Sequence, residues 1–294
     1  ALGDDAQRAA HCAIETALLD AGARSSGHPL AELLAEHFHI KASGTLPELP
    51  GAVPVNATIA ARNTEVAAAE ALASIASGFG CVKLKVGMEA SVEDEVTRVS
   101  AVREIIGPDV RLRLDANGAW DETRAIETIR ALEACDIELI EQPVPADDLA
   151  ALGHVRDAVI TTIAADEALF DYASAERAMQ YADLLVLKPM RLGGLSVSRY
   201  IAQSALAGQR DVIVTTTIDT GIGTAMALQL AASLPANGRA HGLATAGHLE
   251  DDLLVETLNV KRGAMVLPEA PGLGVELDEA ALLRHSDGWH EATR

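Results

Sequence analysis

The sequence predicts an α/β barrel, with eight parallel strands alternating with helices, on three observations. Short runs rich in β-branched residues recur at a steady interval, roughly 23 to 30 residues from start to start. That interval is the length of one strand plus one crossover helix. The gaps between the runs carry helical periodicity. No glycine-rich phosphate fingerprint follows the first run, which disfavours an open doubly wound sheet. A chain of 294 residues, 49% of them hydrophobic, can bury a core of the size such a barrel needs.

Taken in order, residues 1 to about 51 open with a helical pattern, HCAIETALLDAGARSSGHPLAELLAEHF, ahead of any strand. The first strand is predicted at Pro54–Ala60 (PVNATIA) and the second at Cys81–Gly87 (CVKLKVG). In the second, Val82, Leu84 and Val86 take one face while Lys83 and Lys85 share the other. The following helix, EVTRVSAVREII, sets Val96, Val99, Ile105 and Ile106 on one side and stops at Gly107-Pro108. After a third strand at Val110–Gly118, DETRAIETIRALEAC begins at a capping Asp121 and stripes Ile126, Ile129 and Leu132. Strands four to eight are predicted at Glu138–Val144, Thr161–Glu167, Leu184–Pro189, Asp211–Asp219 and Ala240–Thr245. The acidic run Glu250-Asp251-Asp252 reads as helical; from Leu253 the chain is turn-rich through PEAPGLGVELDEAAL and then briefly helical. The two flanks are expected to pack together as a partial layer over one end of the barrel.

A net charge of −20 repels phosphate backbones and anionic lipid, which argues against nucleic acid and membrane partners. The three cysteines, Cys12, Cys81 and Cys135, have neither metal-ligand spacing nor the pattern of a disulfide framework, as suits a reducing cytoplasm. No stretch reaches the uninterrupted apolar length of a membrane span and no leader pattern opens the chain, so a soluble cytoplasmic protein is expected.

In a barrel of this type the C-terminal ends of the strands face the active site. Read in order, those ends give Lys83 and Lys85, Asp115 with Asn117, Glu141, Asp166 with Glu167, and Lys188. Each has an ordinary explanation when taken singly. K-x-K on a strand suits a solvated edge, Asp115 in DANG suits a turn, and Glu141 or Asp166 suits a cap. The joint pattern resists those explanations. Carboxylates end strands three, four and five, neighbours in the barrel wall, and lysines end the flanking strands two and six. Converging carboxylates cannot all ionise without a cation, and hard oxygen donors with no His or Cys select Mg2+. Such a site suits removal of a proton α to a carboxylate: a lysine takes the proton while Mg2+ and an ammonium stabilise the enediolate. Neighbouring positive charge is expected to depress the pKa of the basic lysine.

At these residues the chain resembles the enolase superfamily, in its muconate-lactonizing-enzyme subgroup, through AIETALLD, KLKVG, RLDANGAW, IELIEQPV, IAADEAL, LVLKPMRLGGL, TGIGTAMALQLAASL and PGLGVELD. The resemblance implies Mg2+, with Mn2+ as a substitute, held by Asp115, Glu141 and Asp166. It implies Lys85 and Lys188 as facing acid/base lysines, Lys83 as a holder of a small carboxylate substrate, and Asn117 and Glu167 as groups behind them. It also implies a (β/α)7β barrel over residues 52–252. Residues 1–51 would be the end of a capping domain to which 253–294 return. Family members begin with a capping-domain sheet whose loop covers substrate, and this chain opens near the last capping helix. Within the subgroup, HGLAT…LEDDL is similar to the o-succinylbenzoate synthases of menaquinone biosynthesis, which dehydrate a cyclohexadiene carboxylate to an aromatic product. Dipeptide epimerases carry an Asp-x-Asp at the eighth strand; here Leu243 and Thr245 stand where that pair would fall. A dipeptide epimerase or N-acylamino acid racemase is the alternative, and a noncatalytic binding barrel the reading of another class. His241 and His248 are the histidines nearest the barrel mouth, and assembly into homo-oligomers is compatible with all these readings.

Overall fold

The computed structural model describes residues 4–39 and 48–286. Two helices, α1 (Asp4–Ser26) and α2 (Leu30–His39), precede β1 (Ala52–Pro54) and β2 (Ala57–Ile59). Strand and helix then alternate through α3 (Thr64–Ala76), β3 (Cys81–Lys85), α4 (Val92–Ile106), β4 (Arg111–Asp115), α5 (Glu122–Ala131) and β5 (Ile137–Glu141). The alternation continues through α6 (Leu149–Ala158), β6 (Thr162–Ala165), α7 (Tyr172–Ala178), β7 (Leu184–Leu187), α8 (Pro189–Leu192), α9 (Leu195–Ala207), β8 (Asp211–Val214) and α10 (Gly221–Ser233). A short antiparallel pair, β9 (Val260–Lys261) and β10 (Ala264–Val266), and α11 (Glu279–Arg284) complete the described chain. Strands β2 to β8 form one sheet in sequence order, and every pairing in it is parallel.

Two predicted strands are corrected. The first run splits: Pro54 ends β1, which pairs antiparallel with β10, and Ala57–Ile59 form the separate strand that pairs with β3. A proline has no N–H to give a ladder, so the run breaks beside it. The eighth run, Ala240–Thr245, pairs through His241 and Gly242 alone. His241 exchanges hydrogen bonds with Pro54 and Asn56, and Gly242 with Val214 and Thr216, so this segment joins the two edges of the sheet. Gly242 permits that approach, because a Cβ there would lie 2.3 Å from Thr215 Oγ1. Seven β/α units and a closing segment make this the (β/α)7β variant of the barrel.

Alternation along each strand builds two cores. Outward residues such as Val82, Leu84, Leu112, Leu114, Ile140, Ile163, Leu185 and Leu187 pack under the helices. Inward residues Leu139, Ala164, Leu184, Val186 and Ile213 form a small apolar layer of their own. On α4 the buried stripe is Val92, Glu95, Arg98, Val99, Val102 and Ile106, while Ile105, expected inside, is 39% exposed. The helical period carries position 102 inward and leaves 105 outside. Asp121 caps α5 as predicted, accepting from Arg124 N–H, and Gly107 ends α4 at φ 70°. The acidic run 250–252 is not helical. Asp252 accepts from the N–H of Gly221 at the start of α10, and Asp251 pairs with Arg284 and His285, so these side chains serve other segments.

The flanks meet each other. Pro29 bridges Gly272, and Asp20 of α1 accepts from Leu273 N–H at 2.7 Å. Segments 1–3, 40–47 and 287–294 of the expected capping regions lie outside the described residues. Among the described residues no helix is long and apolar enough to cross a membrane.

Candidate active site

The parallel register delivers the predicted residues to one end of the barrel. Lys85 pairs with Asp115 and Asp115 with Glu141, so three strand ends present side chains at one level. Asp166 follows β6 directly and Lys188 follows β7. Inward parity, set by Leu139 and Val186, carries to Glu141 and Lys188.

Lys83 Nζ stands 2.7 Å from Asp115 Oδ2 and 2.9 Å from Glu141 Oε1, so one ammonium joins two carboxylates. Lys85 Nζ donates to Asp115 Oδ2 and to Asn117 Oδ1, both at 2.7 Å. Lys188 pairs with Asp166 Oδ2. Asn117 donates from Nδ2 to Glu167 Oε1 at 2.9 Å, and its backbone N–H reaches Asp115 Oδ1. All eight predicted residues therefore belong to one hydrogen-bonded set or its charge field. The acids are sealed while the lysines reach solvent: side-chain exposure is 1% for Asp115, Glu141 and Asp166, and 12%, 30% and 16% for Lys83, Lys85 and Lys188.

Electrostatics follow from that crowding. Burial pushes the Asp115 carboxyl up, but Lys83 and Lys85 more than offset it and hold it at about 2. Glu141 is pushed up to about 8 by burial, with Asp115 and Asp166 adding to the rise and Lys83 opposing it. Burial pulls Lys83 and Lys188 down, yet the acids outweigh it and hold both above the ordinary lysine range. The cause is the surrounding carboxylates.

The donor set fits a hard divalent cation. Asp166 Oδ1 is buried with no hydrogen-bond partner, a costly state that a cation would relieve. Asp115, Glu141 and Asp166 offer only oxygen, the chemistry that Mg2+ takes. Among the described residues no three His, Cys, Asp or Glu form a ligand cluster as they stand, and ammonium groups pair with all three acids.

The histidines near the mouth divide differently. His241 is buried on the closing segment, its Nδ1 accepts from Val214 N–H, and burial holds the ring neutral with a pKa of about 3. It pairs with Val55, on the N-terminal side of the Thr58 that pairs with Lys83. His248 is exposed on a single turn at Ala246–His248. A cavity of about 290 Å3 opens at that N-terminal end of the barrel, beside Val212, Arg239 and His241, away from the lysines. It lacks the converging acids and ammonium groups, so the chemistry places the candidate site at the other end.

Arg98 and Glu95 escaped the sequence reading. Arg98 is fully buried, donates to the carbonyl of Lys85 at 2.7 Å and of Ala61 at 3.1 Å, and pairs with Glu95 at 2.7 Å. Glu95 in turn accepts from Gly87 N–H at 2.8 Å. Two charges at i, i+3 on the buried stripe of α4 thus grip the backbone on both sides of Val86. The available signal was their phase: they share the face of Val99 and Val102.

Comparison with known proteins agrees with this arrangement. Residues 66–281 match the family model described as Enolase C-terminal domain-like. A chloromuconate cycloisomerase of Cupriavidus pinatubonensis is 34% identical over 94% of this chain and 72% of its own length. An o-succinylbenzoate synthase of Thermobifida fusca is 38% identical over 78% of this chain and 72% of its own. The crystal structure of a dipeptide epimerase from Enterococcus faecalis complexed with Mg and the dipeptide L-Leu-L-Tyr superimposes with a TM-score of 0.82. It is 32% identical over 92% of this chain and 73% of that one. With its barrel closed as (β/α)7β and its lysines and acids at one end, this chain belongs to the enolase superfamily, in the muconate-lactonizing-enzyme subgroup.

Proposed function

We propose that the chain removes a proton α to a substrate carboxylate and eliminates hydroxide, as an o-succinylbenzoate synthase does in menaquinone biosynthesis. The observation that carries the proton-removal half of this reading is the pair Lys85 and Lys188. They end β3 and β7, which lie across the barrel from one another with the acid-bearing ends of β4, β5 and β6 between them. A substrate lying between them meets an amine on each face.

Asp115, Glu141 and Asp166 would hold Mg2+, with Mn2+ as a substitute, and the cation supplies charge stabilisation to the substrate carboxylate. Lys83, whose ammonium the acids keep protonated, binds that carboxylate from β3. Lys85 in its free-amine form takes the α-proton, and the C–H electron pair moves into the carboxylate as an enediolate. The enediolate collapses, the adjacent C–O bond breaks, and the Lys85 ammonium returns the proton to the departing hydroxide as water, leaving an aromatic ring. Lys188 stays an ammonium and counters the developing charge from the opposite face, as its raised pKa suits it to do. Asn117 orients the Lys85 amine through Oδ1, and Glu167 fixes the orientation of Asn117.

Synthase, cycloisomerase and epimerase all stand among the relatives, so the choice among them rests on the substrate side. Where an epimerase would place acids for an ammonium group, Leu243 is fully buried and Thr245 Oγ1 is bonded to Thr216 Oγ1 at 2.8 Å. Neither carries charge. That favours a substrate without an ammonium group. The test supplies Mg2+ with the hydroxycyclohexadiene carboxylate and, separately, with L-Ala-L-Glu in deuterated water. Appearance of the aromatic product is expected; inversion of the dipeptide without any dehydration would replace this reading with the epimerase.

A further inference from the structure

Gln142 follows Glu141 directly, is fully buried, and holds a left-handed backbone at φ 39°, a conformation few residues other than glycine adopt. Such strain persists only where its surroundings demand it. Five hydrogen bonds supply that demand. Its Oε1 accepts from Asp166 N–H at 3.0 Å and from Ala168 N–H at 3.2 Å, and its Nε2 donates to Val144 O at 2.9 Å. Its own N–H donates to Ala164 O at 2.8 Å, and its carbonyl accepts from Gly118 N–H at 2.7 Å. The two backbone donors and the one backbone acceptor fix which end of the amide is oxygen. Gln142 therefore touches three strand ends at once: the turn after Asp115, its own strand after Glu141, and the backbone nitrogen of Asp166 itself.

We propose that Gln142 is a positioning residue that sets the mutual spacing of Asp115, Glu141 and Asp166 and thereby the affinity of this site for a divalent cation. This rests on the reading that those three acids hold Mg2+. The side chain is bonded to backbone groups, so it acts through the Asp166 peptide, and its backbone carbonyl acts through the Gly118 peptide. Acceptor capacity at the end of a four-bond side chain is the property required. Glutamate keeps it and, protonated in this buried position, still donates to Val144 O; methionine of similar length lacks it, and asparagine has it one carbon short of Asp166.

The test is calorimetric titration of the whole chain with Mg2+, alongside thermal unfolding of each variant in EDTA. Gln142→Met is expected to weaken Mg2+ binding by about tenfold or more, the range seen when groups orienting metal ligands are removed. Gln142→Glu is expected to bind no more weakly than wild type. A packing role alone would lower the EDTA melting temperature of the Met variant and leave its Mg2+ affinity near wild type. Should Gln142→Met not fold, Gln142→Asn against Gln142→Glu makes the same comparison. Binding by Met and Asn variants within about threefold of wild type, or a Glu variant as weak as Met, overturns the proposal. Wild-type protein that binds no Mg2+ at all would overturn the metal reading, and this inference with it.

Discussion

Lys85 sits between two acceptors of different character, a shared carboxylate oxygen of Asp115 and the neutral amide oxygen of Asn117. Neither contact makes it a ligand, so its loss separates chemistry from cation binding. Lys85→Ala is expected to lose turnover by about 10²-fold or more while calorimetry finds Mg2+ binding close to wild type. Activity retained within about tenfold would remove Lys85 from the role of base. Lys188 is expected to behave otherwise, because a dehydration needs its charge and an inversion needs its proton. Arginine keeps the charge but does not deprotonate. Lys188→Arg should therefore retain measurable dehydration and exceed Lys188→Ala, whereas for an epimerase both would be equally dead. Equal and complete loss of dehydration in both variants would count against the charge-stabilising role. These residues are legible in sequence because strand parity and strand ends are sequence properties: an inward lysine after an apolar run has no cheap structural explanation. Gln142 and Arg98 are not legible in the same way. Their partners are backbone atoms of other segments, which no side-chain pattern announces.

At the scale of elements, α4 is both a cover for the sheet and a grip on it. Arg98 and Glu95 are each about 1% exposed, so the pair is isolated from water. Replacing Arg98 with methionine leaves Glu95 as a buried charge without its partner, and such losses cost about 3–5 kcal/mol. Urea unfolding in EDTA of Arg98→Met is expected to show that drop with an unchanged slope. A loss below about 1 kcal/mol would mean the pair is no better than a surface contact. The same helix shows where periodicity reading fails. Val99 and Ile106 are buried as their apolar character predicts, but Ile105 lies outward, and Glu95 and Arg98 take the buried face although both are charged. The eighth strand and the 250–252 run failed for a related reason. Pairing at His241 and Gly242 is limited by what the two sheet edges offer, and Asp252 is claimed by the N–H of Gly221, both long-range facts. Elements whose partners are adjacent in sequence, such as the caps at Asp121 and Gly107, were read directly.

Across the whole molecule the barrel interior is stacked. Arg113, Glu138 and Arg239 are joined by ion pairs nearer its N-terminal end, an apolar layer of Leu139, Ala164, Leu184, Val186 and Ile213 fills the barrel interior, and the lysine–carboxylate set lies at the mouth. That apolar layer removes solvent from beneath Glu141, which is why burial dominates its pKa of about 8. The consequence for stability has a definite sign. An unfolded glutamate titrates near about 4.3, so below that pH both states carry the proton and Glu141 contributes nothing. As pH rises from there toward about 8, the unfolded state ionises first, and the folded state in EDTA loses stability through that window. Asp115 acts in the opposite sense. Its folded pKa of about 2 lies below the unfolded value near about 3.9, so its contribution is full above the unfolded value and lost as pH falls through the folded one. A chain of net charge −20 also repels itself more as pH rises, so the Glu141 effect is isolated by comparison with Glu141→Gln. The expected result is a melting temperature in EDTA that falls from about pH 5 to pH 8 in wild type and falls less in the Gln variant. Added Mg2+ favours the ionised carboxylate, so at a fixed Mg2+ concentration its stabilising increment should grow with pH in wild type, amounting to about 2.7 kcal/mol where that concentration is a hundred times the Kd. Parallel pH profiles for wild type and Glu141→Gln in EDTA would show that this carboxyl is not raised. The crowding of acids at the barrel mouth would then be fully answered by the lysines alone.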